Sequence, residues 1–131
     1  MIVAVDTSAL GKLLVEEDES GPFREQLAQH AGDGDEFTIS TIAVTELRRL
    51  AIRLGIDALR VEPVVRPFRT IRLTEAILQL AGRLPQAHLG TLDAIHIATA
   101  LSIGAGALVS YDLRQLEAAA QEGLLTVSPG S

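Results

Sequence analysis

At 131 residues, 47% hydrophobic and without cysteine, the chain is sized for a single domain, 1–131, whose core needs neither disulfides nor a thiolate zinc site. The missing cysteine also excludes a thiol nucleophile and fits a reducing cytoplasm. A net charge of −6 argues against generic polyanion binding, and three Phe, one Tyr and no Trp leave few platforms for stacking bases.

Ile2 to Val5 predicts a short buried strand and Thr7 to Val15 a helix, ending in the acidic loop Glu16-Glu17-Asp18-Glu19. This start lacks the basic segment and long apolar stretch of an export signal. No run approaches the roughly 18 apolar residues of a spanning helix, so the expectation is a cytoplasmic protein with no membrane partner. Ser20 with Pro22 opens a helix to Ala31, Gly32-Asp33-Gly34-Asp35 breaks it, and Phe37 to Ser40 forms the second strand.

Ser40 or Thr41 caps a helix from Ile42 to Leu54, stopped by Gly55. Residues 56–69, with Pro63 and Pro67, carry no clear pattern, and a third strand is expected near Thr70 to Leu73. Thr74 caps a helix to about Leu84, and Thr91 caps another to Ile103, ended by Gly104 and Gly106. Ala107 to Ser110 is a fourth strand, Leu113 to Gln121 a last helix, and Leu124 to Val127 a possible fifth strand. Alternating helices and continuously apolar strands define an α/β chain with a mainly parallel sheet of four to five strands, covered on both faces.

Charge is unevenly spread. Residues 1–47 hold ten acids against Lys12 and Arg24, a net of −8, whereas residues 48–72 hold seven arginines against Asp57 and Glu62, a net of +5. The seven are Arg48, Arg49, Arg53, Arg60, Arg66, Arg69 and Arg72. Arginine suits bidentate phosphate contact, but charged helix positions also serve simply as a solvated face.

Four acids stand where folding alone favours other residues. Asp6 closes the first strand, Glu46 lies between Ile42 and Leu50 on one helical face expected to point inward with the apolar stripe, Asp93 opens an apolar helix, and Asp112 follows the fourth strand. Each has a structural explanation: Asp6 and Asp112 as N-caps, the latter with Gln115 in a capping box, Glu46 in a salt bridge to Arg49 or Arg53, and Asp93 as a first-turn acid. Taken together they suggest a metal site. Carboxylates about 4 Å apart repel by on the order of 4 kcal/mol per pair at an effective dielectric near 20, a cost that protonation or a shared cation relieves. Oxygen donors without zinc-spaced His or Cys suit Mg²⁺ or Mn²⁺, and Thr7, Ser8 and Ser110 offer supporting hydroxyls. His30 and His88 are expected at the surface. His96, one turn after Asp93, is expected as a hydrogen-bonded helix residue within possible reach of the site.

The segments Ile2-Val3-Ala4-Val5-Asp6-Thr7-Ser8-Ala9-Leu10, Ser40-Thr41-Ile42-Ala43-Val44-Thr45-Glu46-Leu47, Leu92-Asp93-Ala94-Ile95-His96-Ile97-Ala98-Thr99-Ala100 and Val109-Ser110-Tyr111-Asp112, in this order, resemble the PIN-domain family. Within it the chain is most similar to VapC-type toxin ribonucleases of type II toxin–antitoxin pairs. The resemblance implies a PIN-like α/β/α sandwich and a Mg²⁺- or Mn²⁺-dependent endoribonuclease acting on single-stranded or looped RNA. It implies Asp6 and Asp93 as direct metal ligands, Glu46 and Asp112 as ligands directly or through water, and Ser8 as a hydroxyl beside the first acid. It further implies a homodimer and a cognate VapB-type antitoxin whose C-terminal segment covers the site.

Two other readings compete. A phosphatase or phosphoryl-accepting receiver also places Asp after its first strand, but here Thr7 and Ser8 follow Asp6 where Asp-x-Asp would stand, and Lys12 is the only lysine. A non-catalytic interaction module would use the carboxylates only as caps, and divalent metal would then leave its stability unchanged.

Overall fold

The computed structural model describes residues 1–131. The first half comprises β1 (Ile2–Val5), α1 (Thr7–Leu14), α2 (Ser20–Gly32), β2 (Glu36–Ser40), α3 (Thr41–Arg53), a single 3-10 turn (Ala58–Arg60), α4 (Val61–Val65) and β3 (Arg69–Ile71). The second half comprises α5 (Glu75–Arg83), α6 (Thr91–Ser102), β4 (Ala107–Val109), α7 (Leu113–Gln121) and β5 (Leu125–Val127).

The five strands form one sheet in the order β3-β2-β1-β4-β5, and all four pairings are parallel. The inner strands are apolar on both faces because both are covered. Val3, Val5, Ala107 and Val109 point into a core shared with α1, α2, α3 and α4, while Ala4 and Leu108 point the other way, against α6 and α7. This alternation is the period-2 geometry of a strand, and it yields the expected α/β/α layering.

The strand order also fixes where a ligand can sit. From β1 the chain runs outward through β2 to β3, then returns to add β4 on the other side of β1. That reversal leaves a crevice beyond the carboxyl ends of β1 and β4, the position where open α/β sheets bind ligands.

Three local expectations are corrected. Residues 56–69 are not a structureless connection: Val61, Val65 and Phe68 are buried at helical spacing and anchor α4 and the turn after it in the core. Pro63 is tolerated because it lies in the first turn, where its missing N–H has no intrahelical partner to lose. The N-cap of α6 is Gly90, which makes no side-chain cap, and Thr91 is the first helical residue rather than the cap. On α3 the core-facing stripe is Ala43, Leu47 and Ala51, so Ile42, Glu46 and Leu50 lie on the adjacent, half-buried face.

Candidate active site

Asp6 and Asp112 stand at the carboxyl ends of the neighbouring strands β1 and β4, and both do cap the helices that follow. The Asp6 backbone extends the sheet, with its N–H donating to Val109 O at 3.2 Å. Its Oδ1 accepts from the Ala9 N–H at 3.1 Å and from Ser8 Oγ at 2.7 Å, and its Oδ2 accepts from Ser110 Oγ at 2.5 Å. Ser8 Oγ accepts from the Tyr111 N–H at 2.9 Å, and Ser110 Oγ accepts from the Asp112 N–H at 3.1 Å. Two serines thus lock the ends of β1 and β4 together around a carboxylate that is only 2% exposed. Burial pushes the Asp6 carboxyl up, against hydrogen bonds from Ser110, Ser8 and Ala9 and the nearby His96, which pull it down.

Asp112 uses Oδ1 to accept from the N–H groups of Arg114 and Gln115, at 2.9 and 3.2 Å. The capping box is incomplete: the Asp112 N–H goes to Ser110, and the buried Gln115 side-chain amide finds no partner in the protein. Asp112 Oδ2 remains without a protein donor.

Glu46 departs further from expectation. Neither Arg49 nor Arg53 pairs with it; its Oε1 instead accepts from Thr7 Oγ1 and from His96 Nε2, each at 2.7 Å. His96 Nε2 also lies 3.3 Å from Thr7 Oγ1, and the ring is 4% exposed. An acceptor-only carboxylate requires that Nε2 carry the proton, which sets the tautomer. Burial acts to raise the Glu46 carboxyl, but the bonds from His96 and Thr7, with the charges of His96 and Arg53, outweigh it and hold the group below its usual value. Glu46 Oε2 is left free.

Asp93, in the first turn of α6, is half-buried and has no hydrogen-bonding partner among the groups that act on it. Burial raises its carboxyl; the charges of Asp112, Asp6 and Glu46 raise it further, and only His96 opposes them. The four sequence-predicted acids therefore share one electrostatic neighbourhood. They do not close a cage, because no three Asp, Glu or His side chains converge tightly enough to enclose a cation by themselves.

That openness bears on which ion the site suits. Mg²⁺ is held by one or two carboxylates, keeps several waters and takes further ligands from substrate phosphate, unlike metals bound in all-protein cages. An unpartnered Asp93 under pressure from three anions, beside free oxygens on Glu46 and Asp112, fits such an ion by donor chemistry and charge.

Of the hydroxyls, Thr7 serves Glu46, while Ser8 and Ser110 serve Asp6. The His96–Glu46 bond is the contact the sequence did not specify; its available signal was the placement of His96 one turn from Asp93. His88 is exposed as expected, but His30 is half-buried, its Nδ1 2.7 Å from Asp35. Lys12 is occupied by Glu17 and Glu19 in the acidic loop and lies over the Tyr111 ring, 5.1 Å from its centroid.

Parallel α/β/α layers with carboxylates gathered at the switch point define an acidic-site domain suited to hard divalent cations. A family model for the PIN domain matches residues 3–121, and the chain belongs to that family. Ribonuclease VapC47 of Mycobacterium tuberculosis is 36% identical to it over 134 residues, covering 99% of this chain and 98% of that protein. Among solved structures, the sarcin-ricin loop cleaving toxin VapC20 of Mycobacterium tuberculosis superposes with a TM-score of 0.77 at 18% identity, covering 97% of this chain and 99% of that one. A toxin–antitoxin complex from Klebsiella pneumoniae has a TM-score of 0.69 at 23% identity, covering 97% of both chains. No helix is long and apolar enough to cross a membrane.

Proposed function

We propose that this chain is a metal-dependent endoribonuclease, the toxin of a VapBC-type pair, acting in the cytoplasm as a single PIN-like domain over residues 1–131. The observation that carries the reading is Asp93: a half-buried carboxylate with no hydrogen bond, crowded by the charges of Asp112, Asp6 and Glu46. Structure alone gives no reason to keep four acids here, since only Asp6 and Asp112 cap helices. Kinship with ribonuclease VapC47 supports RNA as substrate, and the Klebsiella pneumoniae toxin–antitoxin complex supports an antitoxin partner. A homodimer, which the family resemblance implies, is part of the same proposal.

Asp93 and Asp6 would hold Mg²⁺ or Mn²⁺, with Asp112 Oδ2 and Glu46 Oε2 contributing directly or through water. Such an ion supplies Lewis acidity toward the phosphodiester and toward an attacking water. The chain's own groups do the positioning. Ser8, Ser110 and the Ala9 N–H fix Asp6; the cap on α7 fixes Asp112; Thr7 and His96 keep Glu46 ionised with Oε2 available to accept a proton or orient water.

The receiver-type alternative loses support because Lys12 is already engaged by Glu17 and Glu19. Cleavage of a mixed structured RNA pool by wild type and Asp93→Ala, each with Mn²⁺ and with EDTA, tests the proposal. Cuts by wild type with Mn²⁺ alone are expected. Equal cutting by both proteins, or no cutting in any lane, would overturn it.

A further inference from the structure

The fold sorts six of the seven arginines of residues 48–72 into two groups, with exposed Arg48 in neither. Arg60 donates to Leu14 O at 3.3 Å, Arg66 lies 3.7 Å from Glu62, and Arg69 pairs with Glu36 at 2.8 Å. Arg49, Arg53 and Arg72 have no carboxylate partner, and all three line one cleft of about 730 Å³ that opens beside Glu46. This volume lies within the roughly 300–1,000 Å³ of sites that hold small organic ligands.

Two elements build the cleft. Arg49 and Arg53 are one turn apart on α3, while Arg72 follows β3. Thr41 ties them: its Oγ1 donates to Ile71 O at 2.8 Å and accepts from the Leu73 N–H at 3.1 Å. Ile42, Leu73 and Leu92 add apolar lining beside Thr41 and Thr45, and Leu92 is 47% exposed immediately before Asp93. The cleft therefore brings three arginines and three apolar side chains together with Glu46, a member of the carboxylate cluster.

A bare phosphate would satisfy the arginines and leave the apolar wall wet; an aliphatic ligand would do the reverse. A nucleotide satisfies both. Its phosphate matches the guanidinium fork, its base offers a flat apolar face, and Arg planes themselves stack on bases. With a net charge of −6 over the whole chain, unpaired arginines at this cleft also give a polyanion a favourable approach.

We infer that this cleft holds one unstacked nucleotide of the RNA strand next to the scissile phosphate, its base against Ile42, Leu73 and Leu92 and its phosphate on Arg49, Arg53 and Arg72. This rests on the ribonuclease reading above. It makes a splayed base part of recognition, so a paired helix is refused until that base leaves its stack.

The test begins from the cut site mapped with wild type, using RNAs that carry a single abasic position stepped across it. One position flanking the cut is expected to lower cleavage roughly tenfold or more, and the effect is expected to vanish in Leu92→Ala. In parallel, binding of intact RNA to the inactive Asp93→Asn protein is followed against salt. Adding Arg49→Gln, Arg53→Gln and Arg72→Gln is expected to flatten the log–log slope by roughly 0.7, the value for one phosphate contact on a single strand. Adding Arg66→Gln and Arg69→Gln instead is expected to leave the slope unchanged, and melting curves establish that each variant is folded.

Uniform tolerance of abasic positions, or an unchanged slope in the triple variant, would overturn the inference. So would arginine variants that bind RNA normally but lose an acidic peptide or protein partner. Failure of the ribonuclease reading is seen separately, as absence of metal-dependent cuts by wild type, and the binding arm still reports on the cleft.

Discussion

Asp6 and Asp93 carry the same chemical group, and the fold treats them in opposite ways. At the β1–β4 rim, both Asp6 oxygens are occupied by Ser8, Ser110 and the Ala9 N–H, and the group is buried. On the α6 side, Asp93 is half-buried with no donor and feels three neighbouring anions. One carboxylate is positioned in advance by hydrogen bonds, and the other has no partner within the polypeptide. A folded chain retains an uncompensated charge of the second kind where an external cation or a proton completes it.

The comparison can be broken first at Asp93. Asp93→Asn is expected to reduce RNA cleavage by more than the roughly 10- to 100-fold that loss of an outer partner costs, while circular dichroism shows an intact fold. Next is His96→Ala, which frees Glu46 from its buried donor. Cleavage and Mn²⁺ affinity are expected to fall roughly 10- to 100-fold, with partial recovery in His96→Gln, as measured by steady-state kinetics and calorimetric titration.

On the architectural side, Ser110→Ala leaves Asp6 Oδ2 and the Asp112 N–H without their partner. A loss of about 1–3 kcal/mol of folding stability is expected in urea titrations.

The smallest effect is a pH dependence. Because the folded Asp93 pKa is raised above its ordinary 3.8, its ionised form opposes folding fully at neutral pH, and that opposition disappears as the folded protein takes up the proton on acidification. In EDTA, Asp93→Asn is therefore expected to melt above wild type at neutral pH. The gap should close as the pH falls through the raised value and vanish below 3.8. A gap that widens on acidification would reverse the assignment.

Much of this was legible in the chain. The apolar runs at Ile2, Phe37 and Ala107, each followed by a capping residue and helix, specified the parallel sheet and placed Asp6 and Asp112 at the carboxyl ends of its strands. The α4 segment was harder because Pro63 masked a short helical stripe, Val61, Val65 and Phe68, that only tertiary packing makes decisive. Glu46 stood out in the sequence, but its hydrogen-bond partner did not, because a side-chain bond to His96 spans 50 residues and depends on how α3 and α6 meet. The same limit applies to the arginines. Sequence counted seven cations, whereas the fold decides that three are engaged, three others face one cleft and Arg48 does neither.

The most direct test of the central claim is a melting series with increasing Mn²⁺ for wild type and Asp93→Asn. A ligand that binds only the folded state stabilises it by about 2.7 kcal/mol at one hundred times its dissociation constant. The account predicts a melting temperature that climbs with Mn²⁺ in wild type and stays flat in Asp93→Asn. Equal climbs in both proteins, or none in either, would contradict it.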